Sequence, residues 1–540
     1  MFGVLTFTHR WFGVVLALFM LGWFSSGLLI AFVHSPAATR VEQLAHAASL
    51  APQDGWLSLG EALTRSAPER ATRARAQREE PHTGVEGRAR ERGDRRGESD
   101  IVEARLTRVD GAPVWVIEDD LGQRLAISAS DGALLEISAA QAERIARAWR
   151  DAPESERVAY DDTVEAPVGV RNPEALRPFH RVAIDDGAGS QVVVSQRTGE
   201  VVQNSTRVER ALAYAGGWLH LFRWLDDLGA GDFRRDALSW AGGLATLGAL
   251  TGLILGFIRW RPGFFGRPTY LGGRTQPYRE FWFEYHFWVG LIGGVFALLW
   301  ATSGFLSTNP GQIFSPATAS REELARFSGG ALPPVVKDWK PDSALAVDEN
   351  VVGLQWSRLA DQAILFAVSR DGSRKPLAVA GTVEAFDEAA LLAAVQRLAG
   401  ETAIASHELL SDYDDYYYPN HRQTSADKPL PALRVDLADE AKTSVYVDPK
   451  DGRLLARFDD SRRFYRWLYS AAHHWDFGWF HERWLRNAWL ATWISFGVVL
   501  GLSAVVLGWR RLRRTFIDAS ARYRPVISAK TRKPAPHTAS

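Results

Sequence analysis

Four apolar segments dominate this sequence, and each is long enough to cross a lipid bilayer, which takes roughly 20 helical residues. They cover residues 11–33, 238–258, 287–306 and 488–509. The first segment is longer than the apolar part of a secretory signal peptide and lacks a small-residue cleavage motif, so we interpret it as an anchor. The sequence therefore predicts a helical membrane protein with four transmembrane helices.

Arginines near the helix ends predict the orientation, because cytoplasmic loops are rich in Lys and Arg. Basic residues follow the second and fourth segments, whereas residues 307–320 contain none. Both termini should then be cytoplasmic. The predicted organisation is a first helix at 1–34, an exterior region at 35–236, a second helix at 237–260, a cytoplasmic loop at 261–285, a third helix at 286–307, an exterior region at 308–487, a fourth helix at 488–509 and a cytoplasmic tail at 510–540.

The first and third helices share a pattern that indicates a duplication. His9, Trp11 and Gly13 match His286, Trp288 and Gly290, and the pair Ser26/Gly27 matches Ser303/Gly304 at the same offset. Each copy is followed by an exterior region and then by a second helix that is entered through a histidine-containing stretch, WLHLFRW or SAAHHWDFG. The repeated unit is predicted to be a helix, an exterior domain and a helix.

The exterior regions show alternating apolar residues interrupted by Asp-Gly or Thr-Gly, a pattern typical of β-hairpins. Examples are LAISASDGALL, VVVSQRTGEVV, LFAVSRDGS and VYVDPKDGRLL. Amphipathic helices are predicted at residues 140–149 and 387–400, so each region should be α+β. Residues 65–100 are dense in Arg, Glu and Gly, which predicts a flexible, disordered insertion. Its interleaved acidic residues argue against nucleic-acid binding, and the tail after residue 522 is also expected to be disordered.

Histidines at the ends of the apolar segments are the candidate functional residues, because ionisable groups at membrane depth are costly. With no cysteine in the chain, c-type haem attachment and thiolate-bound clusters are excluded. Two imidazoles can hold a haem iron within a helix bundle. We expect an inner pair, His9 with His286, and an outer pair, His220 with His473. His474 is the alternative to His473, and His34 closes the first helix. Interfacial anchoring is the competing interpretation for these histidines, as helix packing is for Gly13, Gly27, Gly290 and Gly304.

Several stretches resemble the PepSY-associated transmembrane family. They are HRWFG at 9–13, SSGLLIAF at 25–32, RPFHRVAIDD at 177–186, SQRTGEVV at 195–202 and the long stretch 431–478. The family includes haem-containing ferric-siderophore reductases of the FoxB type. The resemblance implies two b-type haems, two periplasmic PepSY-like domains and a place in the inner membrane of a Gram-negative bacterium. It also implies an oxidoreductase that passes electrons to a periplasmic ferric siderophore or similar iron chelate.

The electron donor should be a separate molecule, membrane quinol or a cytoplasmic reductase, because no G-x-G-x-x-G motif follows a strand. An exterior loop, HELLSDYDDYYYPNHR at 407–422, is a candidate contact for the ferric chelate. Its polar candidates are Asp412, Asp414, Asp415, Tyr417 and His421, although an exposed polar turn with one packed aromatic side explains the loop equally simply.

Two other classes of protein compete with the reductase. The main alternative is a non-catalytic membrane protein that binds peptides or regulates a peptidase through its PepSY domains. A metal transporter is less favoured, because the helices carry no central carboxylate or broken-helix signature. Hydrolases are excluded by the absence of G-x-S-x-G and H-E-x-x-H.

Overall fold

The computed structural model describes residues 2–33, 36–79, 101–119, 122–167, 170, 175–330, 332–343, 345, 347–420, 423–477, 480 and 483–522. Its α-helices are α1 (Phe2–Phe32), α2 (Arg40–Ala45), α3 (Leu59–Glu79), α4 (Ala139–Trp149), α5 (Arg207–Ala213), α6 (Trp224–Asp227), α7 (Arg234–Arg259), α8 (Phe281–Ser307), α9 (Arg321–Ser328), α10 (Pro334–Asp338), α11 (Glu388–Ala399), α12 (Asp460–Tyr465), α13 (Ala472–His474) and α14 (Arg483–Arg522). Two π-helical turns, Tyr214–Trp218 and Arg466–Ala471, and two 3-10 turns, Gly231–Phe233 and Pro310–Gln312, complete the helical elements of these residues.

Fourteen strands are described in the same residues. They are β1 (Ile101–Val109), β2 (Ala112–Asp119), β3 (Arg124–Ser128), β4 (Val158–Val164), β5 (Phe179–Ile184), β6 (Ser190–Ser195), β7 (Val201–Ser205), β8 (Val351–Leu359), β9 (Gln362–Ser369), β10 (Arg374–Leu377), β11 (Ile404–Leu410), β12 (Ala432–Leu437), β13 (Ser444–Val447) and β14 (Leu454–Phe458). The chain divides into two compact units, a helical one (residues 1–25, 239–305 and 487–540) and a sheet-containing one (residues 26–238 and 306–486).

Four helices in the described residues are long and apolar enough to cross a membrane, as predicted: α1, α7, α8 and α14. Each extends beyond its predicted apolar segment. The first begins at Phe2, within the predicted helix at 1–34, because residues 2–8 are apolar or small and continue the helix. His9 and His286 lie inside helices α1 and α8, and both are within the predicted bounds of 1–34 and 286–307.

Close packing at glycines holds the helical unit together. A Cβ added to Gly501 of α14 would lie 2.9 Å from the Cα of Leu21 in α1, and one added to Gly242 of α7 would lie 3.1 Å from the Cα of Phe305 in α8. Lipid supplies little hydrophobic drive for helix association, so small residues at such crossings let backbones approach and gain van der Waals contact.

Three antiparallel sheets form the framework of the sheet-containing unit. One has six strands in the order β10-β9-β8-β1-β2-β3, and the others are β4-β5-β6-β7 and β11-β12-β13-β14. Helix α4 packs on the first four-stranded sheet through Ala142, Ala146 and Trp149. Helix α11 packs on the second through Leu391, Ala394, Val395 and Leu398, which share one face at helical spacing.

The duplication predicted from the helices extends through the sheet-containing unit. Three strands, a helix, four strands, a short helix and a π-helical turn follow one another twice, first from β1 to Trp218 and again from β8 to Ala471. Strands β1 to β3 and β8 to β10 come from different copies, yet they pair in one sheet through β1 and β8. The two copies are thus joined by backbone hydrogen bonds.

The predicted flexible insertion differs from the structure over its first part. Residues 65–79 continue helix α3, and the remaining residues 80–100 lie outside the described residues, as does the tail from residue 523. Arg and Ala are strong helix formers, so a segment without large apolar side chains can still extend an existing helix. The side chain of Glu69 also accepts a hydrogen bond from the Leu134 backbone N–H at 2.9 Å, which docks the helix beside the turn after β3.

Candidate functional site

Two histidines from different membrane helices meet in the helical unit. The ring centres of His9 in α1 and His286 in α8 lie 6.3 Å apart, and the ring planes are inclined by 40°. The sequence predicted this inner pair from the repeated frame and from the cost of ionisable groups at membrane depth. The structure brings the two imidazoles together, although the helices begin 279 positions apart in the chain, at Phe2 and Phe281.

Hydrogen bonds fix the tautomer of both rings. Nδ1 of His9 lies 3.0 Å from the carbonyl oxygen of Gly248 in α7. A carbonyl can only accept, so Nδ1 donates and the lone pair of this imidazole is on Nε2. Nδ1 of His286 lies 2.9 Å from Oγ of Ser503 in α14, and that hydroxyl donates to the carbonyl of Leu500 at 2.7 Å. Ser503 thus accepts from His286, whose lone pair is also on Nε2.

A glycine makes room for the first of these rings. A Cβ added to Gly252 of α7 would lie 2.6 Å from Cε1 and 3.0 Å from Nδ1 of His9, which is closer than real Cβ contacts allow. Gly252 is one helical turn after Gly248, so the same stretch of α7 supplies both the hydrogen-bond acceptor and the space. Gly13, one turn after His9 on the same face of α1, has no atom within 4 Å of an added Cβ.

The pair fits a metal held between two imidazoles. An imidazole nitrogen bonds a metal at about 2.0 Å and lies roughly 1.1 Å from its ring centre, so two rings on opposite sides of one metal have centres about 6 Å apart. The observed 6.3 Å agrees with that separation. Donation from Nδ1 to a second group is also the usual arrangement for metal-bound histidine. Among the described residues no group of three or more His, Asp or Glu side chains could hold a metal ion, so a pair is the candidate.

The outer histidines follow π-helical turns in the sheet-containing unit. His220 is the second residue after the turn Tyr214–Trp218, and His473 is the second residue after the turn Arg466–Ala471. Such turns are rare and often lie at functional sites. The equivalent positions identify His473, rather than His474, as the counterpart of His220.

Neighbouring side chains contact these histidines in both copies. Nδ1 of His220 lies 3.0 Å from Oγ of Ser26, and the ring packs beside Gly27, with Cε1 at 3.7 Å from an added Cβ. His473 and His474 both contact Tyr469, with ring centres 5.2 and 4.9 Å from it. Arg486 fixes the end of α13 by donating to the His474 carbonyl from Nη2 at 2.6 Å. His34 lies outside the described residues.

The loop between β11 and β12 places its predicted chelate contacts in different surroundings. Tyr417 is fully buried, stacks on Tyr446 with ring centres 4.9 Å apart, and donates its hydroxyl to the Pro429 carbonyl at 2.7 Å. The carboxylate of Asp414 accepts from the backbone N–H of Tyr417 at 2.6 Å and from the Tyr446 hydroxyl at 2.7 Å. Tyr417 and Asp414 are therefore engaged in packing and in hydrogen bonds, both within the loop and with strand β13.

Two of the predicted chelate contacts remain exposed, Asp412 and Asp415, and His421 lies outside the described residues.

Burial also changes the acidity of Tyr446, the residue of strand β13 that stacks on Tyr417 of the loop. It raises the pKa of the Tyr446 phenol, and the hydrogen bond to Asp414 and its negative charge act in the same direction. The Tyr446 hydroxyl donates a hydrogen bond to Asp414 within this packed cluster.

Sequence reasoning missed the groups that orient the rings. Gly248, Gly252 and Ser503 lie on α7 and α14, the helices that carry no predicted inner histidine. Small or hydroxyl residues within an apolar helix are also ordinary packing residues, so their identity alone could not assign them to a histidine. Ser26 could have been singled out, because it is part of the pattern repeated in the first and third helices. Nothing in the sequence, however, indicated that it contacts His220.

Comparison with known proteins places this architecture in a family. No curated protein matches the sequence. The family described as the PepSY-associated TM region matches residues 7–384, well over half of the chain. The match begins just before His9 and runs through the first three membrane helices into the strands of the second copy. This chain belongs to the PepSY-associated transmembrane family.

Proposed function

We propose that this protein is a haem-binding electron carrier of the bacterial inner membrane, in which His9 and His286 ligate one haem iron. The observation that carries the proposal is the inner pair, with ring centres 6.3 Å apart and both Nδ1 atoms hydrogen-bonded. Histidines that only anchor helices at the membrane interface do not need to lie side by side within the bundle with the lone pairs of both Nε2 atoms available. Peptide binding, the competing function, does not need such a pair.

A second haem is proposed at the outer histidines, His220 and His473. Their equivalent places after the two π-helical turns support this assignment. The hydrogen bond between Ser26 and His220 gives one ring a partner that can fix its orientation. Two tiers of haem would provide a route for electrons across the membrane, since each haem iron exchanges one electron at a time.

The proposed reaction is the reduction of a ferric siderophore or similar chelate on the periplasmic side, which would make the protein an oxidoreductase. Ferrous iron binds hard oxygen ligands more weakly than ferric iron does, so reduction loosens the chelate. Membrane quinol or a separate cytoplasmic reductase would supply the electrons. Basic residues after α7 and in α14 support an orientation with both termini and the 261–285 loop in the cytoplasm.

The decisive experiment is to purify the protein in detergent and record its visible spectra before and after dithionite. A pyridine haemochrome assay would give the number of haems per chain. We expect a b-type spectrum with two haems. A folded, colourless protein, prepared from cells supplied with haem precursor, would refute the proposal and favour the peptide-binding alternative.

The acceptor is tested separately with the dithionite-reduced protein. We expect a ferric hydroxamate chelate to reoxidise the haems rapidly, with a gallium complex of the same chelator as the redox-inactive control. A haem protein that the ferric chelate does not reoxidise would keep the electron-carrier role and exclude this acceptor.

A further inference from the structure

One buried arginine lies at the turn that leads to the outer histidines. Arg466 is the first residue of the second π-helical turn, and only 7% of its surface is exposed. In the register that aligns His220 with His473, its position in the first copy is occupied by Ala213. The second copy thus has a buried positive charge where the first copy has a methyl group.

Hydrogen bonds hold only one of the two terminal nitrogens of the Arg466 side chain. Its Nη2 donates to the hydroxyl of Tyr418 and, at 3.2 Å, to the carbonyl of Asp476. Tyr418 donates to the same carbonyl at 3.2 Å, which fixes its hydroxyl as an acceptor for the arginine. The rings of Tyr418 and Trp467 lie 5.1 and 4.3 Å from the guanidinium carbon. These contacts leave the guanidinium little freedom to rotate.

The other terminal nitrogen has no such contact. Nη1 of Arg466 is buried and has no hydrogen-bond partner among the residues that the structure describes. A buried charged donor without an acceptor is strongly unfavourable, so native proteins almost always supply one. The nearby acidic groups, Asp476 and Asp415, act on Arg466 through their charge, and in the described structure neither accepts a hydrogen bond from Nη1.

The geometry points to a ligand carboxylate: we propose that Nη1 of Arg466 anchors a carboxylate of a molecule bound beside the turn that carries His473 and His474. A fixed guanidinium with one open nitrogen is suited to a charge-assisted hydrogen bond with such a group. The turn that begins at Arg466 continues directly into the helix that ends at His474, and Tyr469 in this turn contacts both histidines. The anchor and the histidines therefore lie on one continuous helical segment.

Two sources could supply the carboxylate, a haem propionate or an exogenous ferric carboxylate chelate. Only the first depends on the proposed haem binding. The test uses the full-length protein with Arg466→Gln, which removes the charge, and Arg466→Lys, which keeps it. Arg463→Gln is the matched control, because Arg463 lies on the preceding helix and its terminal nitrogens donate to Lys442, Asp460 and Ser444.

Redox titration and transfer of haem to apomyoglobin form the first arm. For a propionate, Arg466→Gln should make one midpoint potential more negative and accelerate loss of one haem by about tenfold, as for other groups that support a metal ligand. Arg466→Lys should restore most of the potential, and Arg463→Gln should change neither quantity. A helix that merely lost packing would not recover its potential with lysine.

Equilibrium binding of ferric citrate forms the second arm. Unchanged potentials with about tenfold weaker ferric citrate binding in Arg466→Gln would support an exogenous carboxylate, a loss typical of one charge-assisted hydrogen bond. If neither arm responds, or if Arg463→Gln has the same effects, the proposal is overturned. A wild-type protein without haem would refute the proposed function, while the ferric citrate arm would still decide the role of Arg466.

Discussion

The two copies of the repeated unit have the same order of elements but differ in chemistry. In the first copy, a cluster of Phe179, Val193 and their neighbours fills one face of the β4-to-β7 sheet with apolar side chains. In the second copy, the sheet β11 to β14 packs Tyr417 and Tyr446 together, and Asp414 binds the Tyr446 hydroxyl. Equivalent sheets therefore pack through different side chains in the two copies.

The inner histidines show a related asymmetry. His9 donates to a backbone carbonyl, which no side-chain substitution removes, whereas His286 donates to the side chain of Ser503. The first ring is further confined by Gly252. Two sites that look alike in sequence are therefore sensitive to different substitutions, and this difference can be tested.

The largest effect is expected from removal of an inner ligand. His286→Ala should lower the haem content by about half, because one of two bis-histidine sites is lost. His9→Ala should do the same if the two rings share one iron. His407→Ala is the control, since this histidine is exposed and pairs with Glu388 at 2.8 Å. Full haem retention in both inner variants would refute the assigned pair.

A smaller effect is expected from Gly252→Ala. The new methyl group would lie 2.6 Å from Cε1 of His9, so the ring must move away from its position. We expect the inner haem to be lost faster and its absorption bands to broaden, measured by haem transfer and visible spectroscopy. Gly3→Ala on α1 is the control, because an added Cβ there meets no atom within 4 Å. Equal spectra in both variants would contradict the close packing.

Ser503→Ala should have a milder effect, limited to the second inner histidine. His286 would lose its acceptor but keep its place in α8, so haem should remain bound and dissociate about tenfold faster. Thr492→Ala is the matched control, because Thr492 also donates to a carbonyl within α14, that of Ala488 at 2.8 Å. Wild-type dissociation in Ser503→Ala would show that the hydroxyl does not hold the ring.

The smallest effect concerns the tyrosine cluster of the second copy. Burial raises the pKa of Tyr446 in the folded protein. A raised pKa contributes stability that is complete below the pKa of an unfolded tyrosine, about 10, and is lost as the pH rises above it. Tyr446→Phe should therefore flatten the alkaline loss of melting temperature, and Tyr413→Phe on the exposed loop should keep the wild-type profile. An unchanged slope in Tyr446→Phe would exclude this titration.

Much of the architecture could be predicted from local patterns, because membrane helices and β-hairpins have characteristic sequences over short stretches of the chain. The four apolar segments, the Asp-Gly and Thr-Gly turns and the helix at Glu388–Ala399 are of this kind. The inner histidine pair followed from the repeated frame. Contacts between distant segments were not predictable: Ser503 and Gly252 are separated from their histidines by more than two hundred residues, and periodicity carries no information about such partners.

Helix α3 and the six-stranded sheet show where predictions from local sequence fail in the sheet-containing unit. The composition of residues 65–79 predicted a flexible segment, but these residues are helical, and the Glu69 carboxylate accepts a hydrogen bond from the backbone N–H of Leu134. The sheet mixes strands of both copies, whereas the repeat suggested separate domains in sequence order. In each case the structure contains hydrogen bonds between residues far apart in the chain, which local patterns do not reveal.

The pairing of β1 with β8 has a further consequence. Val109 and Ala112 close the first hairpin as Leu359 and Gln362 close the second, and under this correspondence Arg105 is equivalent to Gln355. These two residues pair with each other, and the flanking pairs Ala104 with Trp356 and Leu106 with Leu354 exchange under the same correspondence. Such self-complementary contact is the signature of a two-fold axis between identical subunits. The central strands of this sheet have the form that an ancestral homodimer would leave after its gene duplicated and the two copies fused.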